Sequence, residues 1–230
     1  MSEILKDKNN LEPGAARTPD TSYTDYLDQD SKDVPKFLYE ESAPYLGSED
    51  IPIDRYISKE FFDKEAESMW TRVWQFACRV EDIPEVGDSL VYDILDYSFV
   101  IVRSETNTIK GFYNSCLHRA RKIKTERTNS EDLKCPFHGY CWNLDGTLKH
   151  TPAAWDFPHV KPEEWDLPQV RTEIWDGFVF INIDDDAMPL EEFLAPIPEH
   201  HKRWDLANCK KAIHVSKVVP GNWKIVQEAF

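Results

Sequence analysis

Behind Ser58, the apolar positions Phe62, Ala66, Met69, Trp70 and Val73 recur at helical spacing, and the serine hydroxyl suits the cap of a first turn. This spacing predicts an amphipathic helix packed on a domain. Beyond Gly87 the period shortens. Residues 89–94, 99–103 and 109–113 are short runs rich in β-branched and aromatic side chains, the last two joined by a polar turn over 104–108. They predict an antiparallel meander. Residues 170–174 and 178–183 repeat the pattern around Trp175-Asp176-Gly177, a tight hairpin signal. Further on, 189–201 reads as a short helix and linker interrupted by Pro196 and Pro198. Residues 211–219 then read as a strand and 223–230 as the start of a helix.

The first 50 residues break this regularity. They carry four prolines (Pro13, Pro19, Pro35 and Pro44) and 12 Asp and Glu against five Lys and Arg. They read as an acidic, mobile arm with a docked stretch near Phe37 to Tyr45. The full 230 residues have a net charge of −15, which argues against nucleic acid as a partner, because phosphate binding needs a basic surface. No run approaches the ~20 apolar residues of a membrane span, and the amino terminus lacks the apolar stretch of a secretory signal. Five cysteines, at 78, 116, 135, 141 and 209, fit reduced thiols and metal ligation better than a disulfide framework. A cytoplasmic protein is the expectation.

The chemistry concentrates between the two strand groups. Cys116-Leu117-His118 and Cys135-Pro136-Phe137-His138 present four metal ligands in two short loops. Thiolates from Cys116 and Cys135 on one iron, with neutral imidazoles from His118 and His138 on the other, would make a [2Fe–2S] cluster. Its potential lies at roughly −150 to +300 mV, against about −400 mV for all-thiolate plant-type clusters. A structural zinc site built from the same four residues is the alternative. Zinc fingers normally order their ligands Cys, Cys, His, His, whereas the order here is Cys, His, Cys, His.

Cys116-Leu117-His118-Arg119-Ala120 and Cys135-Pro136-Phe137-His138-Gly139-Tyr140, followed by Leu144-Asp145-Gly146, resemble the Rieske signature of the alpha subunits of ring-hydroxylating oxygenases over about residues 50–230. The family's usual Gly is Ala120 here and its usual Trp is Tyr140. Respiratory Rieske proteins resemble the chain less, since the positions of their extra disulfide are Arg121 and Phe137. The resemblance implies a mainly β fold, a Rieske-type antiparallel β-sandwich with a flanking helix, followed by the truncated beginning of an α+β catalytic domain. On that reading, 1–50 is the arm, 51–185 the Rieske domain, and 186–230 a linker plus the start of the catalytic domain.

The stretch from Pro220 to Phe230 resembles the opening of that catalytic half. In the family the mononuclear Fe(II) ligands, two His and a carboxylate, come after this point, so the catalytic iron is expected only in a full-length relative. The resemblance further implies a reductase or ferredoxin as electron donor and a role in aromatic hydrocarbon catabolism or related demethylation. It also implies a small organic substrate where the catalytic domain is supplied, and a homotrimer. A stand-alone Rieske ferredoxin-like carrier is the alternative, and oxygenase turnover by this chain alone is not expected.

Among lesser features, Arg119, Arg121, Lys122, Lys124, Arg127 and Lys134 form a basic cluster that is either a docking site for an acidic electron donor or a solvated loop. Trp142, Trp155, Trp165 and Trp175 either cover the cluster or line a substrate path or, as the simpler reading, pack in the core, and Cys78 and Cys209 are expected as buried small hydrophobes. His150, His159, His200 and His201 are not expected to bind metal.

Overall fold

The computed structural model describes residues 23–39 and 49–229, and the chain divides into two units, Met1–Ile53 and Asp54–Phe230. In the first unit the described residues form a short helix, α1 (Tyr23–Asp28), and a 3-10 turn, Lys36–Tyr39. The Tyr39 hydroxyl donates to Asp28 at 3.1 Å. Residues 1–22 and 40–48 of the expected arm, and with them 40–45 of its docked stretch, lie outside the described residues.

The second unit is built on antiparallel strands. Seven of them, β1 (Gln75–Arg79), β2 (Asp88–Ile94), β3 (Tyr97–Glu105), β4 (Thr108–Tyr113), β5 (Thr128–Asn129), β9 (Gln169–Trp175) and β10 (Phe178–Asn182), form a sheet in the order β1-β10-β9-β4-β3-β2-β5. The other three, β6 (Leu133–Lys134), β7 (Cys141–Trp142) and β8 (Leu148–His150), form a small sheet in chain order. Every strand run expected before residue 185 is present. β9 and β10 meet as a two-residue hairpin in which Trp175 faces Phe178, and Asp176 (φ 45°) and Gly177 (φ 83°) both take left-handed backbone. That geometry matches the twist of the flanking strands.

Helices flank the sheet. After α2 (Asp54–Ile57), Ser58 caps α3 (Lys59–Glu65) by accepting from the Phe61 N–H at 3.3 Å. The helix then continues through a π turn, Ala66–Trp70. That turn adds a residue to the period, so the face read from Trp70 backwards slips by one. Phe61 turns inward in place of the expected Phe62, which is 47% exposed.

Residues 189–201, expected as one short helix and a linker, form two short helices, α4 (Leu190–Leu194) and α5 (Ile197–His201), while α6 (Trp223–Glu228) occupies the expected helical stretch. The strand expected over 211–219 does not form. Its Ile213, Val215 and Val218 are 80%, 80% and 94% exposed. Among the described residues no strand edge pairs with it, and β propensity alone does not hold a ladder.

Two large apolar clusters fill the sheet unit, and a third, smaller one gathers Trp74, Leu190 and Leu194. One of the large pair gathers Phe99, Ile101, Val179 and Ile181. The other gathers Val100, Phe112, Leu133 and Trp142 together with Cys116, Cys135 and Tyr140. The candidate ligand loops are thus continuous with the core rather than appended to it.

Candidate metal centre

The two Cys/His loops are near copies of one backbone device. In the first, the Cys116 N–H donates to the Arg121 carbonyl (2.9 Å) and the Cys116 carbonyl accepts from the Ala120 N–H (2.8 Å). In the second, the Cys135 N–H donates to the Tyr140 carbonyl (2.8 Å) and the Cys135 carbonyl accepts from the Gly139 N–H (3.1 Å). Both turns need a left-handed residue at their fifth position. Ala120 has φ 55° and Gly139 has φ 83°. The glycine is the residue this conformation favours, and the alanine carries a strain the glycine does not.

Different supports aim the two loops. The second is the tip of the β6–β7 hairpin, where Lys134 faces Cys141 and Leu133 faces Trp142. The first leaves the end of β4 and is closed by Asn114, which is 2% exposed. The Asn114 side-chain oxygen accepts from the N–H groups of Ile123 (2.8 Å) and Lys124 (2.9 Å). Its NH₂ donates to the Ser98 hydroxyl (3.0 Å) and the Lys124 carbonyl (2.8 Å). All four hydrogen-bonding positions of that amide are used. Sequence reasoning missed Asn114; a polar amide ending a strand two residues before a ligand cysteine was the available signal.

Cys116 and Cys135 are 3% and 2% exposed and lie within hydrogen-bond reach of each other. Burial pushes the Cys116 thiol above its ordinary value and the Cys135 sulfur adds to this, while the backbone N–H groups of His118 and Arg119 pull it back down. Such N–H groups favour the thiolate, the form that binds metal. The rings of His118 and His138 lie 4.9 Å apart at 64°. Burial and the neighbouring His138 hold His118 below the usual imidazole range, a shift that favours the neutral ring.

His118 Nδ1 is buried and has no hydrogen-bond partner. An orphaned imidazole nitrogen beside two buried thiols is the donor set an iron–sulfur cluster needs. Among the described residues no three His, Cys, Asp or Glu side chains converge as a mononuclear site requires. The two thiols lie within hydrogen-bond reach of each other and the two imidazoles are neighbours, a set of two sulfurs and two nitrogens that fits a [2Fe–2S] cluster.

Residues 73–161 match the Rieske [2Fe-2S] domain family. The chain carries a Rieske domain. A [2Fe–2S] cluster is the cofactor such a domain implies. Relatives of the Rieske-bearing chain are oxygenase subunits. It is 32% identical over 202 residues to the 2-aminobenzenesulfonate 2,3-dioxygenase subunit alpha of Alcaligenes sp, covering 81% of this chain and 50% of that protein. It is 26% identical over 189 residues to the carnitine monooxygenase oxygenase subunit of Escherichia coli (strain K12), covering 78% and 49%.

Among solved structures, a quaternary ammonium Rieske monooxygenase in complex with γ-butyrobetaine superposes with a TM-score of 0.72 at 24% identity, over 77% of this chain and 52% of that one. The naphthalene 1,2-dioxygenase from Rhodococcus sp. bound to indole gives 0.58 at 30% identity, over 61% and 33%. The Rieske chain spans about half the length of the curated relatives it matches. Their names join aromatic compounds with carnitine, so aromatic hydrocarbon catabolism does not follow from the likeness.

Around the Rieske loops, Leu117 (37%), Phe137 (59%) and His138 are exposed, with Arg119, Arg121 and Lys134 exposed beside them. Of the rest of the basic cluster, Arg127 is exposed and the two lysines have partners. Lys122 pairs with Asp93 at 3.0 Å, and the half-buried Lys124 donates to the Ser130 hydroxyl.

The tryptophans divide. Trp142 is fully buried, and its indole N–H donates to the Trp165 carbonyl at 2.7 Å. Trp165 packs against the same core, and Trp175 packs against Trp74 and Leu190. Trp155 departs from expectation: it is 81% exposed, on a 3-10 turn, Ala154–Asp156, outside the apolar clusters. Cys78 is buried as expected, but Cys209 is exposed: its carbonyl accepts from the Arg79 guanidinium at 2.9 Å and Lys211 pairs with Asp82, polar contacts that tie the segment down without covering the thiol. His150 and His159 are exposed, His150 on β8 opposite Cys141.

Proposed function

We propose that Cys116 and Cys135 hold one iron and His118 and His138 the other iron of a Rieske [2Fe–2S] cluster, and that the chain is the electron-entry part of an oxygenase alpha subunit. The twin loops, with a partnerless His118 Nδ1 beside two buried thiols, are the observation that carries this reading. When bound, the cluster supplies one-electron chemistry at a potential raised by its neutral nitrogen ligands. The chain's own residues bury the sulfurs and aim the His118 and Arg119 N–H groups at Cys116. They also leave His138 at the surface between Leu117 and Phe137, where an electron can enter or leave.

The donor is a reductase or ferredoxin, met by the basic side chains of Arg119, Arg121 and Lys134. A mononuclear Fe(II), a small organic substrate and a homotrimeric assembly belong to the full-length oxygenase. Domain limits of 51–185 for the Rieske part and 186–230 for the linker and catalytic opening accompany this reading. It is supported by oxygenase relatives on both the dioxygenase and monooxygenase sides.

Reconstitution with iron and sulfide under reducing conditions tests it. A brown chain whose visible absorbance bleaches on reduction, and whose reduced form gives a Rieske-type EPR signal, is expected; zinc uptake without colour refutes it. His138→Cys is expected to carry the midpoint potential down toward the all-thiolate range of about −400 mV. Reading the coding DNA beyond codon 230 separates oxygenase from stand-alone carrier. An in-frame His-x-x-x-x-His run supports the oxygenase, and a supported stop favours the carrier.

A further inference from the structure

The two imidazoles are held in different ways. The His118 ring stacks on the Tyr140 ring, centroids 5.0 Å apart and planes at 28°. Tyr140 is 4% exposed and is itself backed by Trp165 (5.7 Å, 20°) and Trp142 (6.4 Å, 28°). The bond from the Trp142 indole to the Trp165 carbonyl ties those two residues together. Behind His118 therefore lies a stack of aromatic rings continuous with the core. His138 has a different setting. It is exposed, its companion is Phe137 at 3.8 Å and 36°, and Phe137 is 59% exposed.

Rotation of an imidazole about its side-chain bonds sweeps its nitrogens through space, and a ligand is only as well placed as the contacts that stop this rotation. A flat ring packed face-on against another flat ring stops it without a hydrogen bond. We propose that Tyr140 is the positioning residue for His118. Its stacked ring sets the imidazole plane, so the cluster's two nitrogen ligands are inequivalent, one locked from the core and one held at the surface by Phe137. The aromatic face does this and the hydroxyl does not, so a tryptophan at the same position is an equivalent solution. The inference rests on the Rieske reading of His118 and His138.

The test uses the reconstituted, reduced chain and pulsed EPR that resolves the two histidine nitrogen couplings, together with the midpoint potential at one fixed pH. In the wild type, one coupling is expected to be narrow and the other spread. Tyr140→Leu is expected to spread the narrow coupling and shift the potential, while Tyr140→Phe and Tyr140→Trp preserve both. Phe137→Leu is expected to alter only the other coupling. Trp165→Phe thins the stack one ring further out, and is expected to spread the Tyr140-dependent coupling less than Tyr140→Leu does. This keeps the test decisive if Tyr140→Leu fails to fold.

Unchanged couplings in Tyr140→Leu, or in Trp165→Phe where Tyr140→Leu does not fold, or a Phe137 variant moving the same nitrogen as Tyr140, would overturn the inference and leave the Rieske reading standing. A wild type without two nitrogen couplings overturns both.

Discussion

Ala120 and Gly139 occupy matching positions in twin loops, and only one of them suits the backbone it adopts. Ala120→Gly removes a left-handed side chain, at the cost of added freedom in the unfolded chain. It is expected to stabilise the apo chain by about 1 kcal/mol in urea unfolding. Gly139→Ala is the mirror case. A Cβ there would meet Lys134 and Pro152 only at ordinary contact distance, 3.8 Å, so its expected cost of about 1 kcal/mol comes from the backbone alone.

The cysteines separate just as sharply. Burial pushes the Cys78 thiol up to about 12, and burial together with Asp132 raises Cys141 to about 11. A raised thiol pKa leaves less thiolate at pH 8, so alkylation of both slows. Brief iodoacetamide treatment of the cluster-loaded chain, read by peptide mass spectrometry, is expected to label Cys209 first, with Cys78 and Cys141 protected.

At the scale of elements, α6 is docked on α3 by a nearly buried ion pair. Lys224 Nζ lies 2.7 Å from Glu65 Oε1, and their side chains are 13% and 10% exposed. The same ammonium sits over the rings of Phe61, Trp223 and Tyr56 at 5.1 to 5.8 Å. Glu65 Oε2 has no partner, so the carboxylate depends on Lys224. Lys224→Met is expected to cost about 3–5 kcal/mol in chemical denaturation, because it strands a buried carboxylate. Pairing it with Glu65→Leu is expected to recover most of that loss, and a double variant no better than the single one would place the stability elsewhere.

This contact also marks what could be read from the sequence. Ser58 as a cap and Trp223 as a helix start were visible locally. The π turn that rotates Phe61 inward was not, since periodicity assumes a constant 3.6 residues per turn. The strands were legible because alternation is a local signal with a turn at each end. Residues 211–219 have that alternation without a neighbour, and a strand exists only with its partner. The four ligand candidates were legible because cluster chemistry restricts them to Cys and His at tight spacing. Asn114 was not, because its role depends on residues 123 and 124 returning to it.

For the whole molecule the governing quantity is charge. A chain at −15 repels an acidic electron donor at long range, while Arg119, Arg121 and Lys134 attract it within a few ångströms of the exposed loop tips. Salt screens both effects, with a Debye length of about 8 Å at physiological ionic strength, so the sign of the salt dependence reveals which dominates. If the donor seats on the loop tips, the contact region is basic and the productive complex is electrostatically favoured. Stopped-flow reduction by an acidic ferredoxin should then slow as salt rises from 50 to 500 mM. Arg121→Glu removes one attraction and adds one repulsion at the centre of that face. It is expected to lower the low-salt rate by about tenfold and to flatten or reverse the slope, with the cluster's EPR signal unchanged. A wild-type rate that rises with salt would mean that the global charge governs the encounter and that the basic side chains form a solvated loop, the other reading their sequence allowed.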